Sequence, residues 1–291
     1  MNIIGTGLSG LVGSRIVDLL SSEYSFEDIS RKTGTDITDT PAVLNRLKFS
    51  NAEYVIHMAA YTNVDGAEEQ KDLGENSEAW KINVLGTENV VKACEETGKK
   101  IIYISTDFIF DGENTPQGGY TEEDVPNPIN WYAKTKYEGE KRVQNASIPW
   151  TIVRIAYPYR AQFDKNDFFR AMKNRLAEGQ EIKAITDHVY CPTFIDDIAP
   201  ALDVLISKNK SGIYHVTGNE ALSPKDAALK IAETFDLDKN LIGTTTRSVY
   251  FSGKAQRPFD LSMNNGKIKA LGVVMRGFAE GLQEVKKQIG I

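Results

Sequence analysis

Three glycines, spaced three residues apart, lie near the start of the chain between a short apolar run and an amphipathic segment. Residues 4–13 read IGTGLSGLVG, and the spaced glycines are Gly7, Gly10 and Gly13. In such a pattern the first glycine permits a tight turn, the second lets backbone approach a pyrophosphate, and the third lets helix and strand pack closely. The N-terminus of the following helix adds free N–H groups and a positive dipole. The motif predicts a strand–turn–helix unit that binds a dinucleotide; the alternative is a glycine-rich turn without a ligand.

Short apolar runs alternate with helical patterns through the first half of the chain. The predicted strands are Asn2–Ile4, Tyr24–Ile29, Tyr54–His57, Lys100–Ser105 and Trp150–Ile155. The predicted helices are Leu11–Ser21, Pro41–Leu47, Ser77–Thr97 and Trp131–Asn145. Strands separated by helices at this spacing indicate βαβ units, whose right-handed crossovers produce a doubly wound parallel sheet. Ligands bind such sheets at the carboxyl ends of the strands.

The pattern changes after Tyr157, where helices predominate. Predicted here are helices over Phe168–Ala177, within Pro192–Leu205, over Lys225–Phe235 and over Phe278–Lys287, with short strands at Ile182–Ile185 and around Tyr214–Val216. The fold class is therefore α/β, a Rossmann-like doubly wound parallel sheet with a smaller C-terminal α/β substrate domain. We expect residues 1–156 to form the nucleotide-binding domain, with 186–208 returning to it, and 157–185 and 209–291 to form mainly the substrate domain. The long polar loops at 112–128 and 244–258 are expected to cover a site.

Composition excludes several classes of function. Lysine and arginine number 34 against 40 aspartate and glutamate, a net charge of −6, which argues against nucleic acid because phosphate binding needs a clustered positive field. Two cysteines and three histidines argue against a disulfide framework or a structural metal site. No run approaches the roughly 20 apolar residues of a membrane span, and no basic region precedes the N-terminal apolar stretch as in a signal peptide. We expect a cytoplasmic protein with no metal and no membrane partner.

The end of the second strand bears on which nicotinamide cofactor fits. A site for NAD places an acid there to bind the adenosine ribose. If the strand ends at Ile29, then Ser30, Arg31 and Lys32 meet the ribose and suit a 2′-phosphate, which favours NADP. If it ends earlier, Asp28 takes that place and NAD is favoured.

Two further residues follow this strand. Asp36, followed by Ile37, could accept a hydrogen bond from the adenine amino group, although such residues more commonly cap helices.

A second constellation has the chemistry of proton transfer. Tyr132 and Lys136 lie four apart at the start of a predicted helix, so they share a face. A phenol is a weak acid at neutral pH, and a nearby ammonium lowers its pKa towards the working range. The Lys can also hold a nicotinamide ribose through its hydroxyls. A hydroxyl from the Ser105-Thr106-Asp107 segment, at the end of the preceding strand, could polarise a substrate carbonyl towards Tyr132.

Together these motifs resemble the extended short-chain dehydrogenases/reductases, and within them the dTDP-4-dehydrorhamnose reductases. The resemblance spans nearly the whole chain, and the stretch Ser-Thr-Asp-aromatic-x-Phe-Asp-Gly is its most specific part. The segments that carry it are Thr6-Gly7-x-x-Gly10-x-x-Gly13, VIHMAAYT at 55–62 with Asp65, Ile82-Asn83, STDFIFDG at 105–112, Tyr132-x-x-x-Lys136, CPT at 191–193 and Arg257-Pro258.

The resemblance implies a role for each matching position. It implies a catalytic triad of Thr106, Tyr132 and Lys136, with Tyr132 as proton donor. Together with the glycine motif and the end of the second strand, it gives as expected cofactor contacts Gly7, Gly10, Leu11, Val12, Ser30, Arg31, Asp36, Ile37, Ala59, Ala60, Tyr61, Thr62, Asn83, Tyr132 and Lys136. The implied substrate contacts are Thr106, Asp107, Phe108, Tyr157 and Arg257.

Four residues depart from the family's usual pattern. Phe108 stands where Tyr is frequent, Tyr157 where Trp is frequent, His57 where Asn is frequent, and Cys191 where a small residue is usual. These departures concern the identity of the sugar that binds more than the reaction that is catalysed. His57 is interpreted as a buried structural residue and Cys191 as a small hydrophobe.

The leading hypothesis is NADPH-dependent reduction of the C4 ketone of a nucleotide-activated 4-keto-6-deoxysugar, by a monomer or homodimer. A 4,6-dehydratase would need Glu where Phe108 stands. A nucleotide-sugar 4-epimerase would use the same triad but keep NAD bound. A non-catalytic alternative is a subunit like the regulatory subunit of methionine adenosyltransferase, which resembles the same group.

Overall fold

A computed structural model describes residues 1–290 and contains a six-stranded parallel sheet with helices on both faces. The strands are β1 (Asn2–Thr6), β2 (Ser25–Ile29), β3 (Tyr54–His57), β4 (Lys100–Thr106), β5 (Trp150–Ile155), β6 (Pro158–Tyr159), β7 (Ile182–Ile185), β8 (Thr193–Phe194), β9 (Gly212–His215) and β10 (Ile242–Thr245). The helices are α1 (Leu11–Leu20), α2 (Thr40–Phe49), α3 (Val64–Glu68), α4 (Glu78–Trp80), α5 (Thr87–Thr97), α6 (Trp131–Gln144), α7 (Phe168–Ala177), α8 (Ile195–Ser207), α9 (Pro224–Thr234), α10 (Arg247–Tyr250), α11 (Gly266–Lys269) and α12 (Phe278–Ile289). A π-helical segment, Lys81–Gly86, joins α4 to α5.

The order of the strands confirms the predicted fold class. The sheet runs β2-β1-β3-β4-β5-β9, and every neighbouring pair is parallel. From β1 the chain goes to β2 on one side and later to β3 on the other. The crossovers therefore diverge between β1 and β3, which opens a crevice at the carboxyl ends of these strands.

Each face of the sheet is buried under helices, as the continuous apolar strands predict. On one face Ile56 packs in a core with Ile16 of α1 and Leu202 of α8. On the other face the neighbouring Val55 packs in a core with Val43 of α2, and α5 contributes to the same core. Successive side chains of β3 thus enter opposite layers, as the two-residue period of a strand requires.

The C-terminal half crosses back to this sheet twice. Helix α8 packs in the same core as α1, within the predicted returning segment 186–208. Strand β9 pairs with β5 as the sixth strand, although the sequence analysis placed residues from 209 onward mainly in the substrate domain. Strand β9 therefore belongs to the main sheet, and a strand of four residues carries no signal in the sequence of which strand it pairs with. The division into two domains stays a prediction.

A smaller group of elements lies beyond the main sheet. Helices α7, α9 and α12 share an apolar core that contains Phe169, Ile231 and Phe278, and the pair β7–β10 packs beside it. Within residues 1–290, none of the helices combines the length and the apolar character that crossing a membrane requires.

Candidate active site

A cavity of about 620 Å³ opens at the carboxyl ends of the central strands. Predicted site residues that line it are Gly7, Gly10, Leu11, Val12, Ser30, Arg31, Asp36, Ile37, Ala59, Ala60, Thr62, Thr106, Tyr132, Lys136 and Tyr157. The wall also contains residues outside that predicted set, namely Ser9, Gly13, Ile29, Lys32, Thr35, Met58, Ile82, Ile104, Ser105, Ile155 and Pro158. The structure therefore brings the glycine motif and the Tyr–Lys pair, more than a hundred residues apart in sequence, into one cavity.

The glycine motif has the geometry its spacing predicts. Gly7 has a left-handed φ of 71°, and a Cβ there would lie 2.7 Å from the backbone nitrogen of Ala59. A Cβ on Gly13 would lie 2.4 Å from the carbonyl oxygen of Gly7. Gly10 is the N-cap of α1; no side chain caps this helix and no acidic residue lies in its first turn. The helix thus presents its free N–H groups and positive dipole to the cavity, an arrangement that suits a phosphate.

Strand β2 ends at Ile29, one of the two alternatives that the sequence left open. Ser30, Arg31 and Lys32 line the cavity immediately after it. The Asp28 carboxylate instead accepts a hydrogen bond from Ser30 Oγ at 2.6 Å. The chain thus places a hydroxyl and two cations at the position that distinguishes an NADP site from an NAD site.

Asp36 and Ile37 both line the same end of the cavity. The Asp36 carboxylate accepts hydrogen bonds from the backbone N–H and hydroxyl of Thr38, each at 2.9 Å, and lies 3.3 Å from Arg31 Nε. The backbone N–H and hydroxyl of Thr38 hold the pKa of this carboxyl below its usual range, and Arg31 adds to the effect. The helix cap is a different residue: Asp39 accepts a hydrogen bond from the backbone N–H of Ala42 at the start of α2.

The loop after β3 is fixed by Asn83, in the π-helical segment. Asn83 Oδ1 accepts from the Tyr61 N–H at 2.8 Å, and Nδ2 donates to the Tyr61 carbonyl at 3.1 Å and to Thr135 Oγ1 at 2.9 Å. Thr135 precedes Lys136 on α6. Asn83 therefore positions both the loop and α6. Its side chain lies outside the cavity wall, although a contact with the cofactor was expected.

His57 is confirmed as a buried structural residue. Thr87 Oγ1 donates its proton to the Asn83 carbonyl at 2.8 Å, so it accepts from His57 Nε2 at 3.0 Å. His57 Nδ1 then accepts from Thr6 Oγ1 at 2.6 Å. Burial, and then the charge of Lys136, lowers the pKa of His57 to about 3. A neutral imidazole thus links the strand that precedes the glycine motif to the segment that contains Asn83.

At the end of β4, Thr106 and Asp107 are both buried. Thr106 Oγ1 donates to Asp107 Oδ1 at 3.0 Å and accepts from the Phe108 N–H at 3.3 Å. Asp107 Oδ2 has no hydrogen-bond partner within residues 1–290. Burial raises the pKa of this carboxyl to about 7, although the Thr106 hydroxyl opposes the rise. The strand end therefore presents a hydroxyl that can exchange partners and an acid that can take up a proton.

The electrostatics of the Tyr–Lys pair differ from the sequence prediction. Burial raises the pKa of Tyr132 to about 12, while the Thr106 hydroxyl lowers it in part. Burial lowers the pKa of Lys136 to about 7, and Glu140 acts in the opposite direction. The expected lowering of the phenol's pKa by Lys136 is not seen in the free protein, where burial acts in the opposite direction and Lys136 Nζ donates to the Ile104 carbonyl at 2.8 Å. Tyr132 is a protonated phenol at neutral pH, the form that donates a proton.

Five of the predicted site residues lie outside the cavity wall. Tyr61 and Asn83 bind each other, as above, and Asp107 accepts a hydrogen bond from Thr106. Phe108 packs its ring edge against Tyr132. Arg257 pairs with Asp65 at 2.8 Å and donates to the Ala255 carbonyl at 2.7 Å. Sequence spacing could not show most of these positions, because Tyr61, Asn83, Phe108 and Arg257 have partners that are distant along the chain.

His188 is a residue of this site that sequence reasoning missed. Tyr157, in the cavity wall, has a φ of 40°, a strained value for a bulky residue. His188 Nδ1 lies 2.8 Å from the Pro258 carbonyl and must donate to it, so Nε2 accepts from the Tyr157 hydroxyl at 2.8 Å. Burial lowers the pKa of His188 to about 4. A neutral imidazole thus holds Tyr157 against the loop that ends at Pro258.

The coupling between His188 and Tyr157 can be measured in a double-mutant cycle. His188→Leu should lower the free energy of unfolding by about 1 kcal/mol more in the natural chain than in Tyr157→Phe, because it leaves a buried hydroxyl unpaired. Denaturant titrations of the four proteins give the coupling. Tyr24→Phe, which removes a hydroxyl bonded to Asp203, is the control and should add to His188→Leu without coupling. Additive losses for His188 and Tyr157 would disprove the hydrogen bond.

The remaining sequence expectations concern sulfur and metals. Cys191 is confirmed as a small buried residue, and burial raises the pKa of its thiol to about 12. Among residues 1–290 no three or more His, Cys, Asp or Glu side chains are grouped as metal ligands. The absence of a metal stays a prediction.

Comparisons with known proteins agree with this geometry. The family model described as RmlD substrate binding domain matches residues 1–290. A probable low-salt glycan biosynthesis reductase of Haloferax volcanii is 31% identical over 81% of this chain and 81% of its own. Methionine adenosyltransferase 2 subunit beta of Mus musculus is 30% identical over 86% of this chain and 74% of its own. The crystal structure of a dTDP-4-dehydrorhamnose reductase from Bacillus anthracis in complex with NADP superposes with a TM-score of 0.89, 30% identity and 99% coverage of both chains.

Proposed function

The chain belongs to the RmlD substrate-binding domain family, and we propose that it catalyses the NADPH-dependent reduction of the C4 ketone of a nucleotide-activated 4-keto-6-deoxysugar. One observation carries the proposal: a single cavity contains the glycine cradle at one end and Thr106, Tyr132 and Lys136 at the other. The similarity to a solved dTDP-4-dehydrorhamnose reductase supports the choice of substrate class.

The residues of the cavity fit a dinucleotide, and the end of β2 favours NADP. Gly10 and the uncapped N-terminus of α1 would hold the pyrophosphate. Ser30, Arg31 and Lys32 would hold a 2′-phosphate, because they line the cavity directly after β2 and offer a hydroxyl and two positive charges, while the Asp28 carboxylate is bound by Ser30 Oγ. The Bacillus anthracis relative is a complex with NADP, which supports the same assignment.

Tyr132 is the proposed acid of the reaction. When bound, the reduced nicotinamide supplies the hydride, which adds to the carbonyl carbon while the cofactor is oxidised. Tyr132 Oη donates its proton to the carbonyl oxygen as negative charge develops there, so the ketone gains one hydride and one proton and becomes an alcohol. The raised pKa of Tyr132 keeps the phenol protonated before this step.

Thr106 and Lys136 stabilise the charge that moves in this step. Thr106 Oγ1 has one proton, now shared with Asp107, and turning it towards the substrate oxygen would supply a hydrogen bond to the developing alkoxide. The Lys136 ammonium lies in the cavity wall one turn of helix from Tyr132. Its charge would stabilise the phenolate left after proton transfer, and its free N–H groups would hold the ribose of the cofactor.

Cofactor selectivity tests the assignment of the β2 end. Arg31→Ala should raise the KM for NADPH about tenfold or more and leave the KM for NADH nearly unchanged, because only NADPH has the phosphate that the guanidinium would bind. Steady-state kinetics with both cofactors measure the two values. Lys48→Ala, an exposed cation paired with Glu96 away from the cavity, is the matched control. An equal rise for both cofactors would contradict a 2′-phosphate contact at Arg31.

The function itself is tested by oxidation of NADPH in the presence of a dTDP-4-keto-6-deoxysugar. Formation of the 4-hydroxy sugar supports the proposal. A nucleotide-sugar 4-epimerase would instead copurify with stoichiometric NAD. The similarity to methionine adenosyltransferase 2 subunit beta is the observation behind the non-catalytic alternative. A protein of that kind would show no turnover and would capture a methionine adenosyltransferase catalytic subunit. The state of assembly, monomer or homodimer, and the cytoplasmic location stay predictions.

A further inference from the structure

The Lys136 ammonium lies over the face of a buried aromatic ring. Its Nζ is 4.1 Å from the centroid of the Tyr103 ring. Both side chains are almost completely buried, with Tyr103 at 0% and Lys136 at 3% exposure. A cation over a ring face is attracted to the ring quadrupole, most strongly where water is excluded.

The Lys136 ammonium has no carboxylate partner among residues 1–290, where no Asp or Glu oxygen lies within ion-pair distance of its Nζ. Glu140, one turn further along α6, is bound by Arg154 through two hydrogen bonds of 3.1 and 2.8 Å. Of the three N–H groups of the ammonium, one donates to the Ile104 carbonyl. The ring accepts no conventional hydrogen bond, so it stabilises the charge and leaves donors for a ligand.

Helix α6 carries a glycine where Tyr103 approaches it. A Cβ on Gly139 would lie 2.6 Å from Tyr103 Oη and 2.6 Å from the Asn83 carbonyl oxygen. Glycine in the interior of a helix is unfavourable relative to alanine. The helix thus omits a side chain at the point where the Tyr103 ring enters beneath Lys136. The Tyr103 ring also contacts His57, with ring centroids 5.4 Å apart.

We propose that Tyr103 is a positioning residue of the reductase, whose ring face holds the Lys136 ammonium at the carboxyl end of β4. This inference rests on the proposed function for its kinetic consequence, but the contact itself exists in the free protein. The ring holds the cation in place as an anion would, without using the N–H groups that the cofactor ribose needs.

The inference predicts how Lys136 titrates. The ionisable groups around it are Glu140 and Tyr132 on its own helix, His57 on β3 and Tyr103 on β4. His57 is neutral, and the Glu140 charge is compensated by Arg154. Burial already lowers the pKa of Lys136. A ring with a weaker quadrupole would lower this pKa further, because it would stabilise the charged ammonium less. The ammonium is lost as the pH rises through the pKa, so the alkaline limb of kcat should move to lower pH.

A series of rings with the same shape tests this without opening a cavity. Tyr103→Phe keeps the ring face, and difluoro- and pentafluorophenylalanine at the same position weaken and then reverse its quadrupole. The chain is labelled with ¹³C at lysine Cε, and the Lys136 signal is assigned by its loss in Lys136→Met. In the free protein the NMR pKa of Lys136 should be close to the natural value in Tyr103→Phe. It should fall stepwise along the fluorinated series, by about one pH unit at the end.

The kinetic arm uses the same proteins with NADPH and the keto-sugar. The alkaline limb of kcat should move to lower pH in the same order as the NMR pKa. An NMR pKa that is unchanged across the fluorinated series overturns the inference, whatever the enzyme does. No turnover by the natural chain, with the NMR series as expected, overturns the proposed function and leaves the contact between Tyr103 and Lys136 established.

Discussion

Tyr132→Phe should lower kcat for reduction of the keto-sugar by about 10³-fold, while the dissociation constant for NADPH changes by less than about threefold. The substitution removes only the proton that the developing alkoxide takes up. The phenyl ring still fills the buried space between Phe108 and the cavity, so the fold and the cofactor cradle remain. Stopped-flow oxidation of NADPH measures the chemical step, and titration of the quenching of protein fluorescence measures binding of the cofactor.

Tyr137→Phe is the matched control for this experiment. Tyr137 lies on the same helix, is partly exposed, and has Lys141 over its ring, so it repeats the substitution away from the cavity. It should change kcat by less than about twofold, since surface substitutions rarely alter the structure. Full activity in Tyr132→Phe would exclude the phenol as the proton donor. Loss of NADPH binding in that variant would mean that the ring is needed to form the cradle.

Gly13→Ala should destabilise the protein by about 3 kcal/mol or more and abolish cofactor binding, because the added Cβ overlaps backbone. The Cβ would lie 2.4 Å from the Gly7 carbonyl oxygen and 2.7 Å from Leu8 Cα. Neither atom can move without displacing α1 from β1. Unfolding in urea and calorimetric titration with NADPH measure the two effects.

Gly10→Ala separates the effect of the glycine motif on cofactor binding from its effect on stability. The nearest atom to its Cβ is the Gly7 carbonyl oxygen at 3.2 Å, so unfolding should change by less than about 1 kcal/mol. The methyl group would instead stand between the pyrophosphate and the N-terminus of α1, and NADPH affinity should fall about tenfold or more. Equal affinity in Gly10→Ala and the natural chain would refute the predicted path of the pyrophosphate.

Some elements of the site could be predicted because their signals are local. The glycine spacing predicted the turn between β1 and α1, since Gly7 has a left-handed φ and Gly13 lies against the Gly7 carbonyl oxygen. The four-residue spacing of Tyr132 and Lys136 predicted a shared helix face, and both line the cavity. The apolar strands predicted a parallel sheet, and the sheet brought their carboxyl ends to one edge.

Other features required the tertiary structure because they depend on partners far along the chain. The pairing of β9 with β5 joins residues about sixty positions apart, and no spacing in the sequence indicates it. Arg257 pairs with Asp65, nearly two hundred residues earlier, and does not line the cavity. His188 became a candidate only when its ring was found against Tyr157.

The sequence by itself determined the fold class, the cradle and the proton-transfer pair, because periodicity, glycine sterics and helix geometry act over a few residues. The tertiary structure decided the proton affinities of the pair. Burial depends on the whole fold, and it raises the pKa of Tyr132 above that of a free phenol and lowers the pKa of Lys136. It also decided that β2 ends at Ile29, because the length of a strand depends on the neighbour it pairs with. The identity of the chemical groups was thus encoded locally, and their proton affinities and positions arose from the packing around them.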